Sequence, residues 1–204
     1  MERLEHIHVG VLALQGDYEL HEHQLDILGV RQRRVKLPSD LNGLDALIMP
    51  GGESTTIGVL IDRFALRQPL VDFGRTRPVY GTCAGMILLS KHIEDNLASV
   101  KPLQLIDIDV VRTGYGRQIC SFEETLEIHL DSNVKQIRAS FIRAPRVTRV
   151  GESVETLSVY NGLAVLAAQN NILAASFHTE LEGNTTLLSY FLRRFVGVQV
   201  AGSV

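Results

Sequence analysis

Pro78-Val-Tyr-Gly-Thr-Cys-Ala-Gly-Met-Ile-Leu-Leu89 reads as a short apolar strand, a G-x-C-x-G turn and the start of an apolar helix. This is the strand-turn-helix pattern of a nucleophile elbow, with sulfur in place of a hydroxyl. Gly81 and Gly85 flank Cys83 because so tight a turn leaves no room for a Cβ at either position. Such a turn lifts the thiol above the carboxyl edge of a sheet and aims a helix N-terminus at it, which favours thiolate over thiol.

Working outward, the first half of the chain alternates apolar runs with helical patterns. The spacing predicts strands at Ile7–Leu14, Arg34–Leu37, Ala46–Met49 and Val79–Tyr80, and helices at Asp17–Leu28, from about Ser54 to Arg75, and at Ala84–Lys91. Continuous apolar strands, each followed by a helix, mark a parallel sheet covered on both faces. Later, the strand-like runs Glu155–Tyr160, Leu163–Gln169 and Ile172–Phe177 are separated by Asn161-Gly162 and Asn170-Asn171, residues that tolerate the positive φ of tight hairpins. A last helix places Leu187, Leu188, Phe191, Leu192 and Phe195 on one stripe. The expected fold is α/β: a doubly wound, mostly parallel, flavodoxin-like sheet with an antiparallel extension, in one domain over residues 1–204.

Composition sets the boundaries of function. The chain has 204 residues, 45% hydrophobic and 21% charged, enough for one sizeable core without disulfides or a structural metal. A net charge of −3 supplies no long-range positive field for nucleic acid or an anionic membrane. The apolar run Val9–Leu14 is too short for a signal-peptide core or a membrane span, so a cytoplasmic protein is expected. Arg31-Gln-Arg-Arg34 reads as a solvated edge.

A nucleophilic thiol needs a base, and the base needs an orienting group. Of seven histidines, His178 alone follows a strand running into the sheet and has a carboxylate, Glu180, two residues on. In extended chain those two side chains share a side, so Glu180 can accept from one imidazole nitrogen while the other faces Cys83. His21 and His23 fall on different helix faces, and His6 and His8 have no ligand cluster beside them. Solvated or capping roles are expected for all four, and no metal site is expected. Cys120 lacks an elbow and reads as structural. Pro50-Gly-Gly-Glu-Ser-Thr-Thr56 ends a strand in a Gly-Gly turn, with Ser54 or Thr55 as helix cap. Its backbone N–H groups suit an oxyanion hole or a carboxylate cradle, although as an isolated feature it is only a turn.

Taken together these segments resemble the class I glutamine amidotransferases, and within them the glutaminase subunits of pyridoxal 5'-phosphate synthase. The resemblance rests on Gly10–Asp17, PGGESTT (50–56), GTCAG (81–85), Gly116-Arg-Gln118 with Ser121-Phe-Glu123, FIRAP (141–145) and Ser176–Leu181. It implies that Cys83 attacks the side-chain amide of glutamine, that His178 shuttles the proton and that Glu180 orients His178. It further implies an oxyanion hole at Gly52 and Ala84, and substrate contacts from Gly52, Glu53, Ser54, Arg117, Ile142 and Arg143. The implied partner is a (βα)₈-barrel synthase subunit in a large hetero-oligomer; no cofactor is implied. Two departures stand out: Thr179 where the family usually has proline, expected to loosen the link between base and orienter, and Thr113 where it commonly has asparagine.

Two other functional classes use the same residues: a different cysteine hydrolase of this fold, or a catalytically weakened structural or regulatory subunit. If the chain is a glutaminase, the pliant Gly51-Gly52 peptide offers a place for partner-dependent gating, with Gln15 and Gly16 at the same sheet edge.

Overall fold

The computed structural model describes residues 6–95, 100–112, 114, 121–131 and 133–197. Strands β1 (His8–Leu12), β2 (Arg31–Val35), β3 (Ala46–Met49) and β4 (Val79–Thr82) alternate with helices α1 (Tyr18–Ile27), α2 (Ser54–Arg63), α3 (Arg67–Thr76) and α4 (Ala84–Leu89). A small sheet of β5 (His92–Ile93), β6 (Ile108–Val111) and β9 (Arg146–Val150) and a hairpin of β7 (Ser121–Leu130) and β8 (Asn133–Ile142) follow. The chain then returns through β10 (Glu155–Tyr160), β11 (Leu163–Gln169) and β12 (Ile172–Ala175), and the last described elements are α5 (Thr186–Phe191) and a π-turn to Val196.

The main sheet has the order β10-β11-β12-β4-β3-β1-β2, in which β2, β1, β3, β4 and β12 run parallel and β10 and β11 are the antiparallel extension. This is the flavodoxin-like order expected from the sequence, and it places a topological switch point between β1 and β3, where a doubly wound sheet opens its ligand crevice. One apolar layer joins the sheet to Leu25 of α1 and to Leu187, Leu188 and Phe191 of α5. The other joins it to Ile57 and Ile61 of α2, Leu70 of α3 and Met86 of α4.

The strand expected at Arg34–Leu37 sits three residues earlier, and Arg31 to Arg34 are its exposed positions. The sheet edge therefore leaves only Val35 to bury, and the solvated-edge reading holds. The sequence pattern predicts no element between Lys91 and Glu155, where the structure has the long β7–β8 hairpin. Phe122, Leu126, Ile128 and Leu130 alternate with Glu123, Glu127 and His129, and the apolar side packs on the α1–α5 layer. Acidic residues of low strand propensity hide that alternation.

Candidate active site

The elbow forms at the end of β4. Cys83 adopts φ 49°, ψ −103°, a region strained for a residue with a Cβ, and its N–H is fixed to the Ala175 carbonyl at 2.8 Å. A Cβ on Gly85 would stand 2.1 Å from the Met49 carbonyl oxygen, and one on Gly81 would stand 2.8 Å from the Gly85 carbonyl carbon. Steric exclusion by neighbouring backbone is thus the reason for both glycines. Ala84 opens α4, where its N–H has no acceptor within the helix.

Cys83 lines a cleft of about 380 Å³ at the switch point, with Gln15 to Asp17, Gly52 to Ser54, Ile87, Arg112, Ile142, Arg143 and His178. The Gly51 carbonyl accepts from the Asp17 N–H at 3.2 Å, and the Glu53 N–H donates to Gln15 Oε1 at 2.8 Å. The peptide that carries the Gly52 N–H is therefore anchored by the loop after β1. Glu53 caps α2, accepting from the N–H groups of Thr55 and Thr56 at 3.1 and 2.6 Å. The cap expected from Ser54 or Thr55 belongs to Glu53 instead, because its longer side chain folds back over both free N–H groups. Its carboxylate is committed to that cap and held below the usual carboxylate range: those hydrogen bonds outweigh the opposing effect of burial.

His178 enters the cleft from the other side. Its backbone makes a two-bond bridge with Ser140 of β8, at 2.8 and 3.0 Å, so the hairpin clamps it to the sheet. Its Nδ1 lies 2.6 Å from Glu180 Oε1. Glu180 does not reach it from extended chain: Thr179 has φ −116°, ψ −19°, and Glu180 begins a 3₁₀ turn that folds the carboxylate back under the ring. The Thr179 N–H donates to Glu180 Oε2 at 2.9 Å, a bond that proline cannot make. The threonine expected to loosen this link supplies a tether of its own.

Burial opposes charge on His178, but its hydrogen bonds to Cys83 and Glu180 prevail, and its pKa is pushed up to about 10. Burial alone would raise Glu180; His21 and His178 beside it hold its carboxyl far below the usual range. A thiol sharing a cleft with an imidazole that is oriented by a buried carboxylate has the composition required for nucleophilic acyl transfer.

Of the expected substrate residues, Gly52, Glu53, Ser54, Ile142 and Arg143 meet at this cleft, whereas Arg117 lies outside the described residues, as do Thr113 and Cys120. Ile142 presents its carbonyl, 3.8 Å from Cys83 Sγ. Sequence reasoning missed Arg112, which lines the cleft, donates from Nη1 to Thr55 Oγ1 at 3.0 Å and keeps a buried Nε without a hydrogen-bond partner. It also missed His21, which is fully buried rather than solvated or capping. The signal was present: His21, Gln24, Leu25 and Leu28 follow the i, i+3, i+4, i+7 stripe of a core-facing helix. Among the described residues no group of three or more His, Cys, Asp or Glu is arranged to hold a metal ion, and no helix is long and apolar enough to cross a membrane.

Residues 11–197 match the SNO glutamine amidotransferase family. The chain belongs to that family. Among its relatives, the pyridoxal 5'-phosphate synthase subunit PdxT of Francisella philomiragia is 44% identical over 91% of this chain and 98% of its own length. That of Herpetosiphon aurantiacus is 46% identical over 90% and 98%. A crystal structure of a glutamine amidotransferase matches this SNO-family fold with a TM-score of 0.86 and 41% identity, covering 93% of this chain and 99% of that one. A glutamine amidotransferase from Thermotoga maritima shares the fold at 11% identity and a TM-score of 0.62, covering 95% of this chain and 100% of that one.

Proposed function

We propose that the chain is one glutaminase domain that hydrolyses L-glutamine to L-glutamate and ammonia and delivers the ammonia to a (βα)₈-barrel synthase subunit making pyridoxal 5'-phosphate. The observation that carries this reading is that Cys83 and His178 line one polar cleft while Glu180, buried behind His178, holds its Nδ1 at 2.6 Å. The sulfur of Cys83 attacks the carboxamide carbon of glutamine, and the developing oxyanion is met by the Gly52 and Ala84 N–H groups. His178 then gives its Nε2 proton to the departing nitrogen, leaving a thioester and free ammonia. Water, deprotonated by His178, attacks the thioester carbonyl, and glutamate leaves as the sulfur is regenerated. Dividing amide hydrolysis in this way replaces one hard step by two easier ones. The proton transfer contributes about 10²–10⁴-fold, and each oxyanion donor about 10²–10³-fold.

For the substrate's α-carboxylate, Arg112 and Arg143 are the cations at the cleft among the described residues, and Arg112 has the stronger case of the two. Its guanidinium is anchored by Thr55, its Nε makes no hydrogen bond and has only Asp95 Oδ1 at 3.9 Å, and the start of α2 lies alongside. The free thiol of Cys83 suits a reducing, cytoplasmic compartment. Ammonia is useful only where it is consumed, which favours control by the partner. The Gly51-Gly52 peptide, tied to the loop of Gln15, Gly16 and Asp17, is where docking would set the oxyanion donor. Glutamate release measured with and without the barrel subunit tests the reading. A strong rise on adding the partner, sensitive to Gln15→Ala, is expected; absence of glutamate release in both conditions overturns it.

A further inference from the structure

The buried polar residues of α1 have no part in the chemistry above, although they lie against its carboxylate. His21 is 0% exposed, and its Nε2 stands 3.4 Å from Glu180 Oε1, the oxygen that His178 also engages, and 3.2 Å from Thr82 Oγ1, one residue before the nucleophile. Its other nitrogen, Nδ1, is 3.1 Å from Gln24 Oε1. Gln24 is itself oriented, because its Nε2 donates to the Asn184 carbonyl at 2.6 Å, just past the turn that carries Glu180. The ring of Tyr80 stands edge-on to His21, centroids 6.2 Å apart, closing the apolar side. The imidazole is therefore fixed by its own helix, by the elbow strand and by the segment after Glu180. A buried group fastened on three sides has one orientation, and that orientation puts an imidazole nitrogen against the carboxylate.

We propose that His21 is a positioning residue for the reaction: it holds Glu180 Oε1 on its line to His178 Nδ1, extending the series to Cys83, His178, Glu180, His21. A carboxylate sealed from water keeps its charge and place only if each oxygen has donors. Oε2 has the Thr179 N–H. Oε1 has His178, which moves a proton in each turnover, and His21 Nε2 at 3.4 Å, which donates to it when the ring carries both protons, because Gln24 Oε1 takes that of Nδ1. His21 thus anchors the oxygen while its other partner changes charge. The groups facing Glu180 are His178, His21, Thr179 and Tyr80, so the acid limb of activity, where Glu180 takes up a proton, reports on the contacts that hold its carboxylate.

The inference rests on the glutaminase reading, and the wild-type chain with its barrel partner separates the two: no glutamate release there sinks the reading, whereas the variants below judge only His21. His21→Leu removes the nitrogen contacts at similar volume, and His21→Gln keeps an N–H near the place of Nε2. In His21→Leu kcat is expected to fall about 10- to 100-fold with KM within about threefold, and the acid limb of kcat to move up by about one pH unit or more. His21→Gln should recover kcat to within about fivefold of wild type and move the limb less. Unchanged kcat in His21→Leu, or equal losses in both variants with unshifted pH limbs, would reduce His21 to packing and overturn the proposal. Should His21→Leu not fold, His21→Met replaces it in the same comparison with His21→Gln, and the same two outcomes decide.

Discussion

Cys83 and His178, the latter backed by Glu180, reach one cleft by different means. On the Cys83 side, backbone does the placing: a strand end, a strained residue and two glycines set against neighbouring carbonyls. On the Glu180 side, buried polar side chains do it: His178 held by the hairpin's Ser140, and Glu180 held by His178, His21 and the Thr179 N–H. Close backbone approach forbids almost every residue but glycine, so it leaves a mark in the sequence. A polar network tolerates several solutions, provided every group finds a partner.

Two substitutions on the Cys83 side should have the largest effects. Cys83→Ala should lower glutamate release by more than about 10⁴-fold with thermal stability unchanged, since it deletes the proposed nucleophile and nothing else. Gly85→Ala should act on the fold: its methyl group must displace the Met49 carbonyl, costing about 2–4 kcal/mol in chemical denaturation. A Gly85→Ala protein of wild-type stability would show that steric exclusion does not set the elbow.

Glu180→Gln should cost about 10²-fold in kcat, less than loss of the base, and should move the basic limb of the pH profile downward. The sign follows from the charges. Glu180 and Cys83 raise His178, so removing the carboxylate's charge releases its proton at lower pH than the wild type's value of about 10. The same linkage governs stability. His178 contributes fully below its ordinary 6.5, and its contribution is lost as pH rises through about 10. The contribution of Glu180 is full above its ordinary 4.5 and fades on acidification below it. Stability against denaturant should therefore peak between 4.5 and 6.5 as far as this pair is concerned. Thr179→Pro should have the smallest effect, about two- to fivefold in kcat: it removes the N–H to Oε2 and asks a backbone at φ −116° to close toward −65°. A faster Thr179→Pro enzyme would mean that ring stiffness outweighs the tether.

The same contrast explains what could be read in advance. The parallel sheet with its antiparallel extension, the elbow and the pairing of His178 with Glu180 were legible because apolar periodicity, glycine spacing and chain order carry them. Glu180 does meet His178, but not through the extended geometry invoked for it, since it opens a 3₁₀ turn. The β7–β8 hairpin was hidden by its charged outer face, although it supplies the bridge that seats His178. Arg112 and His21 carried no motif; each is defined by what a distant segment places beside it.

The most direct test of the account is covalent labelling of the intact protein by an electrophilic glutamine analogue, read by peptide mass spectrometry in the presence of the barrel subunit. The account predicts one adduct per chain, on Cys83, suppressed by excess glutamine and greatly slowed in His178→Asn. Modification of Cys120 with Cys83 untouched, or labelling of Cys83 that glutamine does not compete, would contradict it.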